Sequence, residues 1–554
     1  MAAGMTVNGF EYRHNRAHQR TRMKLADGSY WLYQFDALGQ VVSGRRYWGD
    51  GTPVAGEQFE YAFDDIGNRE NTGGRASAAS SYSVDRRNQY GSRTVAAYAD
   101  VLGIANPTAN VTVNGNTAAR KGEYFHHALS VPNGSAAYPA VTVVSAYGSG
   151  QSTTGHVFVA ASPEAFAHDA DGNLTQDGRW AYTWDGENRL TQMLRNTDSP
   201  LGARQRLSFQ YDHQGRRIMK AFCVWTNSAW SVVSSNKFLY DGWNVVAELN
   251  ATNNALIRSY TWGTDLSGSV QGAGGVGGLL HVGYHVGTVT NGFVAYDGNG
   301  NVAGLVRASD GTTVARYDYG PFAEALRATG PMAAANPMRF STKYQDGESG
   351  FLYYGYRYYN PSTGRWLNRD PISERGGLNI HGFVGNAPNC HFDLLGRNIL
   401  DPITKTTWAE KMWWCRHQDC QKAARQVRNE VVSAVMAEFT TRHAHDDGTE
   451  VNAILHCTWM CATASLPQCG SEAARELGDA HEKWRRNPEK DRTMDLYNNS
   501  MGLSLAEPGN AAVDCLNVCK LKAKDRLLIW HKATPGDPTS SPNWPLWTTQ
   551  GSSE

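Results

Sequence analysis

The chain has 554 residues, with 52 basic and 52 acidic side chains, 57 glycines, 26 tyrosines and 17 tryptophans. That length supports more than one buried core, and aromatics punctuated by glycine and asparagine favour hairpin-rich β-structure. The charge balance gives no electrostatic case for nucleic acid as an obligatory partner. No apolar run reaches the ~18 residues of a transmembrane span, and the opening MAAGMTVNGFEYRHNRAHQR does not read as a secretory signal.

From residue 1 to about 295 one unit recurs: an aromatic, Asp, two variable residues, Gly or Asn, then a polar residue. It reads FDALGQ at 35–40, FDDIGN at 63–68, WDGENR at 184–189, YDHQGR at 211–216 and YDGNGN at 296–301, with a weaker copy, HDADGN, at 168–173. Alternating apolar residues flank each copy, so each predicts a β-hairpin. Gly or Asn takes positive φ in its turn, and the aromatic packs across the strand pair. One hairpin is marginal alone, so the hairpins are expected to stack into a continuous spiral sheet. An ordinary Gly/Asn-rich β-domain is the plainer reading, and the fixed order within the unit argues against it. The segment from about 100 to 165 departs from the pattern and reads as an inserted β-module.

These units resemble the YD repeats of the Rhs family of polymorphic toxins. The likeness tightens between Tyr296 and Gly396. There YDGNGNVAGLVRASDGTTVARYDYGPFAEAL, NPMRFSTKYQDGESGFLYYGYRYYNPSTGRWLNRDPI and GGLNIHGFVGNAPNCHFDLLG follow in order, similar to the Rhs-associated core domain. The resemblance implies a mainly β repeat shell of stacked hairpins over 1–295, a core domain with a self-cleavage module over 296–396, and a small, mostly α-helical toxin domain over 397–554. Family shells are longer than this one, so the chain reads as the C-terminal part of such a protein. The family also implies a cognate immunity protein, a secretion apparatus of the type VI kind, and delivery from one bacterium into a competitor.

The family's cleavage module is aspartate-dependent. The matching residues here are Asp370, with Arg369 before it, and Asp393 in FDLLG. Two carboxylates cut a peptide bond only as neighbours, one serving as acid while the other activates water. Asp370 and Asp393 stand 23 positions apart, so the fold has to join them. Arg369 is expected to hold one carboxylate ionised or to polarise the scissile carbonyl. The family commonly has Asp-Pro-x-Gly-Leu at the junction, where this chain has Asp393-Leu394-Leu395-Gly396-Arg397. The cut is therefore expected within a few residues of Gly396. The plainer reading of both aspartates is a turn residue.

After Gly396 the composition shifts. Only Cys223 and Cys390 precede residue 400, while Cys415, Cys420, Cys457, Cys461, Cys469, Cys515 and Cys519 follow it. Apolar Val427, Val431, Val432, Val435 and Met436 predict a helix over 420–442, and further helices are expected over 451–465, 471–486 and 511–524. The segments NAILHCTWMCATAS, GDAHE and MDLYNNSMG resemble an uncharacterised helical domain at the ends of bacterial polymorphic toxins. Asn452, His456 and Trp459 share one helix face. Asp479 and Glu482 share another, with His481 between them, and Asp495, Asn498 and Asn499 fall in a loop or helix start. His456, His481 and Asp495 are candidate ligands for a divalent metal such as Zn²⁺. A metal-free acid–base site on His456 or His481 is the alternative. Helix capping, ion pairing with a nearby arginine and a satisfied core histidine are the plainer readings. Cys457 and Cys461, like Cys515 and Cys519, place two sulfurs on one helix face, which favours a disulfide-stapled antiparallel pair over a Cys₄ zinc site. Cys415 and Cys420 are expected to pair, leaving Cys469 odd. Disulfides point to activity in an oxidising place such as the periplasm.

Three functions fit. The first is a toxin hydrolase acting on lipid, cell wall or nucleic acid. The second is a membrane-perturbing toxin, against which VNAILHCTWMCATASL is too short and too polar to span. The third is a non-enzymatic cell-surface YD-repeat protein, against which the Cys- and His-rich tail argues.

Overall fold

The computed structural model describes residues 9–17, 19–74, 80–195 and 199–397, and in the C-terminal part 431, 450–465, 474, 505, 515–517 and 519. The chain divides into two compact units, one of Met1–Asn15 and Arg20–Ile403, the other of Arg16–Gln19 and Thr404–Glu554.

The first unit is built from antiparallel sheets in which each strand pairs mainly with its neighbour in the chain. Nine strands, from Phe10–His14 through Tyr90–Arg93 and closed by Glu164–Ala165, make one sheet. Fourteen, from Ala167–His168 to Ala325–Thr329, make another. The turns follow from the repeated motif. At Asp64 the backbone N–H donates to the Asn68 carbonyl (2.9 Å) and Gly67 N–H donates back to Asp64 (3.0 Å). The Asp64 carboxylate accepts from the amides of Ile66 and Asn68 and from the Asn68 side chain. Gly67 sits at φ 82°, which glycine adopts without steric cost. Asp36, Asp169, Asp185, Asp212 and Asp297 accept from the amide four residues on in the same way. Asp85 does so too, with Asn88 at φ 62°.

The aromatic of the motif does more than pack across its own strand pair. It sits at a bulge, as between Gln210 and Tyr211 or Ala295 and Tyr296, and its polar tip reaches the preceding hairpin. Tyr211 donates to the Leu190 carbonyl (2.7 Å), Tyr240 to Arg217 (2.7 Å), Tyr296 to Leu279 (2.5 Å) and Tyr319 to Val302 (2.8 Å). The Trp184 and Trp262 indoles donate likewise to Leu174 and Val245. In the fourteen-stranded sheet a ladder of ring-to-carbonyl bonds therefore ties these hairpins to the ones before them, which a lone hairpin cannot supply.

The segment between Tyr98 and His156 forms two small sheets of its own, ordered around Asn110–Val113 and Tyr124–Ser130. Val111, Val113, Phe125, Leu129, Val141 and Val159 make its separate core.

Beyond residue 343 four short strands, Tyr344–Gln345, Leu352–Tyr353, Tyr358–Asn360 and Arg365–Trp366, form a further sheet. Tyr344, Phe351, Tyr353 and Tyr358 share a core with Trp180, Met193, Leu207 and Phe238 of the fourteen-stranded sheet. A buried charge network pins the two together: Asp346 meets Arg217 at 2.7 Å and Lys220 at 2.9 Å.

In the second unit the described residues include one helix, Glu450–Ala464. The other expected helices lie largely outside the described residues. No helix among the described residues is long and apolar enough to cross a membrane.

Candidate self-cleavage site

The run FLYYGYRYYN carries one cation among aromatics, and the fold buries it. Arg357 is 1% exposed, with its guanidinium carbon 4.2 Å above the Trp366 ring. Trp366 in turn packs with Tyr354, Tyr359 and Phe383, Tyr359 stacking on Phe383 at 3.8 Å. Burial alone works against the guanidinium's charge and lowers its pKa; two carboxylates push back. One Arg357 Nη2 stands 2.9 Å from Asp370 and 3.5 Å from Asp393. Both aspartates are 2% exposed.

Each acid is fixed by local backbone. Asp370 N–H donates to Ile380 (2.9 Å), and its Oδ1 accepts from Ile372 N–H (3.0 Å). Asp393 Oδ1 accepts from the amides of Leu395 (3.1 Å) and Gly396 (2.7 Å), curling FDLLG around the carboxylate. Arg357 Nε donates to the Gly396 carbonyl. Gly396 has φ 74°, and a Cβ there would come 3.0 Å from Arg357 N, so position and space both call for glycine.

A second cation holds the same segment. The Lys343 ammonium donates to the carbonyls of Leu394 (2.6 Å) and Gly274 (2.7 Å). Burial pulls its pKa down to about 8, against the pull of Asp393 and Asp265. Gly274 belongs to the glycine-rich loop QGAGGVGG, and a Cβ on it would run into the Leu394 carbonyl. Leu394 and Leu395 pack with Ala273 and Val276 of that loop. Nearby, the buried His381 imidazole is held neutral by burial and by Arg365, His168 and Arg357.

The sequence expectation of two neighbouring aspartates thus finds Asp370 and Asp393 against a single guanidinium nitrogen. The cation differs from the one expected. Arg369 is exposed and lies beside Gly172. It adjoins Asp370 in the chain, yet its side chain is exposed while that of Asp370 is buried. Arg357 and Lys343 were not singled out from sequence. The available signal was a lone charge inside an apolar aromatic run, which demands a buried partner.

Residues 411–523 match the model of a domain of unknown function (DUF6973). The chain is 30% identical over 212 residues to the tRNA nuclease WapA of Bacillus subtilis (strain 168), covering 38% of this chain and 8% of WapA. It is 26% identical over 414 residues to the toxin protein Tse5 of Pseudomonas aeruginosa, covering 68% of this chain and 28% of Tse5. The Rhs/YD-repeat polymorphic toxins are its family. The chain spans under a third of these two Rhs-type relatives. A Photorhabdus luminescens Tc holotoxin pore structure aligns at 16% identity and TM-score 0.34, over 71% of this chain and 19% of that one.

In the second unit of this Rhs chain, the described residues carry two disulfides, Cys457–Cys519 and Cys461–Cys515. The second bond lies inside the first, the nested pairing expected when two segments with four-residue cysteine spacing run antiparallel. Trp459, Met460 and Ala462 are buried alongside. Cys415, Cys420 and Cys469 lie outside the described residues, as do Asp479, His481, Glu482, Asp495, Asn498 and Asn499 and the side chains of Asn452 and His456. Among the described residues no three His, Cys, Asp or Glu side chains gather to hold a metal.

Proposed function

We propose that this chain is the C-terminal part of a bacterial polymorphic toxin whose β-unit carries a C-terminal effector and releases it by cutting its own backbone near Gly396. The carrying observation is the convergence of Asp370, Asp393 and Arg357 on the FDLLG segment. Arg357 polarises the Gly396 carbonyl and fixes the chain in place. One aspartate takes a proton from water as the oxygen adds to a peptide carbonyl carbon. The other gives a proton to the departing nitrogen. The C–N bond breaks, leaving a carboxylate on the β-unit and an amine on the effector. Lys343 positions the FDLLG segment by its hold on Leu394.

In this reading the effector spans about 397–554 and is a hydrolase using His456 or His481 with Asp479, Glu482, Asp495, Asn498 and Asn499, a divalent metal at His456, His481 and Asp495 being one form of that site. Its partners are an immunity protein and a secretion apparatus. Its two disulfides suit an oxidising compartment such as the target periplasm.

The test is purification of the full chain followed by intact-mass measurement. Two fragments meeting within a few residues of Gly396 are expected, with Asp370→Asn and Asp393→Asn each leaving the chain whole. An intact wild-type chain, or variants that cut at the wild-type rate, rules the reading out.

A further inference from the structure

The strands Trp180–Trp184 and Leu190–Arg195 pair with Trp180 opposite Arg195. Arg179 precedes Trp180, so two guanidiniums flank one indole. Their carbons lie 5.4 Å (Arg179) and 4.6 Å (Arg195) from the Trp180 ring, and 5.5 and 4.7 Å from the ring of Phe158, contributed by the return of the inserted module. Arg195 is 3% exposed. Its Nη2 donates to Gln205 (2.9 Å), and Arg179 Nη2 donates to the Glu348 carbonyl (2.8 Å). The remaining donors have no acceptor: Arg195 Nε and Nη1, Arg179 Nε and Trp180 Nε1 are all buried without a hydrogen-bond partner.

The buried arginines fall into two kinds, those held by a carboxylate and those, such as Arg69 and Arg365, with none within ion-pair distance among the described residues; this cluster is of the second kind and sets two guanidiniums on one indole. Arg46, Arg93, Arg217 and Arg258 each meet a carboxylate. Among the described residues neither Arg179 nor Arg195 does. The one carboxylate near both is Asp177, whose oxygens already accept from the Arg179 and Trp180 amides and the Tyr182 hydroxyl. Burial and Glu164 push the Asp177 carboxyl up to about 6, so at neutral pH one mostly ionised carboxylate faces two guanidiniums. Burial and Arg179 together pull Arg195 down to about 9, so it still carries charge at neutral pH. The rings beneath the guanidiniums attract the cations but offer no lone pair to the in-plane N–H groups.

We propose that Arg179, Arg195 and Trp180 form a buried receptor for one small tetrahedral oxyanion of the phosphate or sulfate class. Every unfilled group there is an N–H donor, and the local charge is positive, so the complement is an acceptor-only anion. A water, which needs acceptors for its own protons, satisfies such a set poorly. The guanidinium fork suits an oxyanion with several oxygens. The contacts also reach three parts of the fold: the inserted module through Phe158, a repeat hairpin through Arg195, and the core domain through Glu348. Anion binding therefore fastens the module to the sheet.

The experiment is thermal melting and isothermal titration of the full chain, in chloride at fixed ionic strength, against inorganic phosphate, sulfate and formate. The expected result is a saturable site for phosphate or sulfate, a melting temperature that rises with its concentration, and affinity weakened about tenfold or more in Arg195→Met. Without oxyanion, Arg195→Met is expected to melt at or above the wild type, because it removes an uncompensated buried charge. Should that variant fail to fold, Trp180→Phe keeps the ring, drops one donor and is expected to weaken binding. No saturable response beyond chloride, a response equal in wild type and variants, or a response to formate alone overturns the proposal.

Discussion

The two units are held together by different chemistry. Between residues 9 and 397 the cysteines Cys223 and Cys390 form no disulfide. Order there comes from buried carboxylate–guanidinium contacts, repeated Asp turns and the ring-to-carbonyl ladder. The unit containing the Glu450–Ala464 helix is instead crosslinked through Cys457, Cys461, Cys515 and Cys519. A long repeat array gains a new interface with each added hairpin. A small domain has too little core for that and gains most from constraining its unfolded chain. The β-unit should therefore be indifferent to redox conditions and the C-terminal unit governed by them.

The largest expected effect breaks this contrast directly. Closing a loop of about 60 residues stabilises by about 4 kcal/mol, while the second bond, inside the first, closes a ring of only about ten residues and adds about 3 kcal/mol. Reduction is expected to remove protection from hydrogen exchange along Glu450–Ala464 and leave the β-strands unchanged. Equal loss in both units, or in neither, would contradict the division. Replacing Cys457 alone should cost as much as replacing Cys519 alone.

Next in size is the complementary break, inside the β-unit. Asp346→Ala strands Arg217 and leaves Lys220 with Glu348 alone. Losing one partner of a buried ion cluster costs about 3–5 kcal/mol. Chemical denaturation should show the β-transition moving by that amount, with reductant making no further difference to it.

The ladder gives a smaller and sharper test. Tyr296→Phe and Tyr319→Phe keep the ring and remove one donor each, leaving the carbonyls of Leu279 and Val302 short of a partner. Each should cost about 1–3 kcal/mol. Phe35 and Phe63 already occupy the equivalent place at their turns, so ring packing survives without the hydroxyl. A loss below about half a kcal/mol at both positions would reduce the ladder to packing alone.

What was legible in the sequence had a local cause. Asp-x-x-Gly specifies its turn within five residues, so Asp36, Asp64 and Asp212 could be read directly. Asp85 has the same turn and escaped notice because Val84 stands where the aromatic should. The partner of each ring tip is distant: Tyr211 reaches Leu190 and Tyr240 reaches Arg217, and no periodicity within a hairpin announces that. That Cys457, Cys461, Cys515 and Cys519 form disulfides was readable because four-residue spacing places sulfurs on one helix face, while which sulfur meets which was not. The cation of the candidate site was misread for the opposite reason. Arg369 adjoins Asp370 in sequence, whereas Arg357 reaches it only through the turns between Tyr358 and Asp370. Lys343 is further still, brought in by the pairing of Tyr344–Gln345 with Leu352–Tyr353.

The smallest expected effect concerns that lysine and carries a definite sign. In the folded chain the Lys343 ammonium titrates at about 8, below its ordinary value of 10.5, because burial outweighs Asp393 and Asp265. Below pH 8 the group is charged both folded and unfolded, and its burial penalty is present in full. Between pH 8 and about 10.4 the unfolded chain binds the extra proton, so this group's contribution to stability rises with pH. Lys343→Met removes that dependence. The stability difference between wild type and variant should therefore be flat below pH 8 and should shift in favour of the wild type above it. A difference that is flat across the whole range, or that moves the other way, would mean that its bonds to Leu394 and Gly274, rather than its charge, decide how Lys343 contributes.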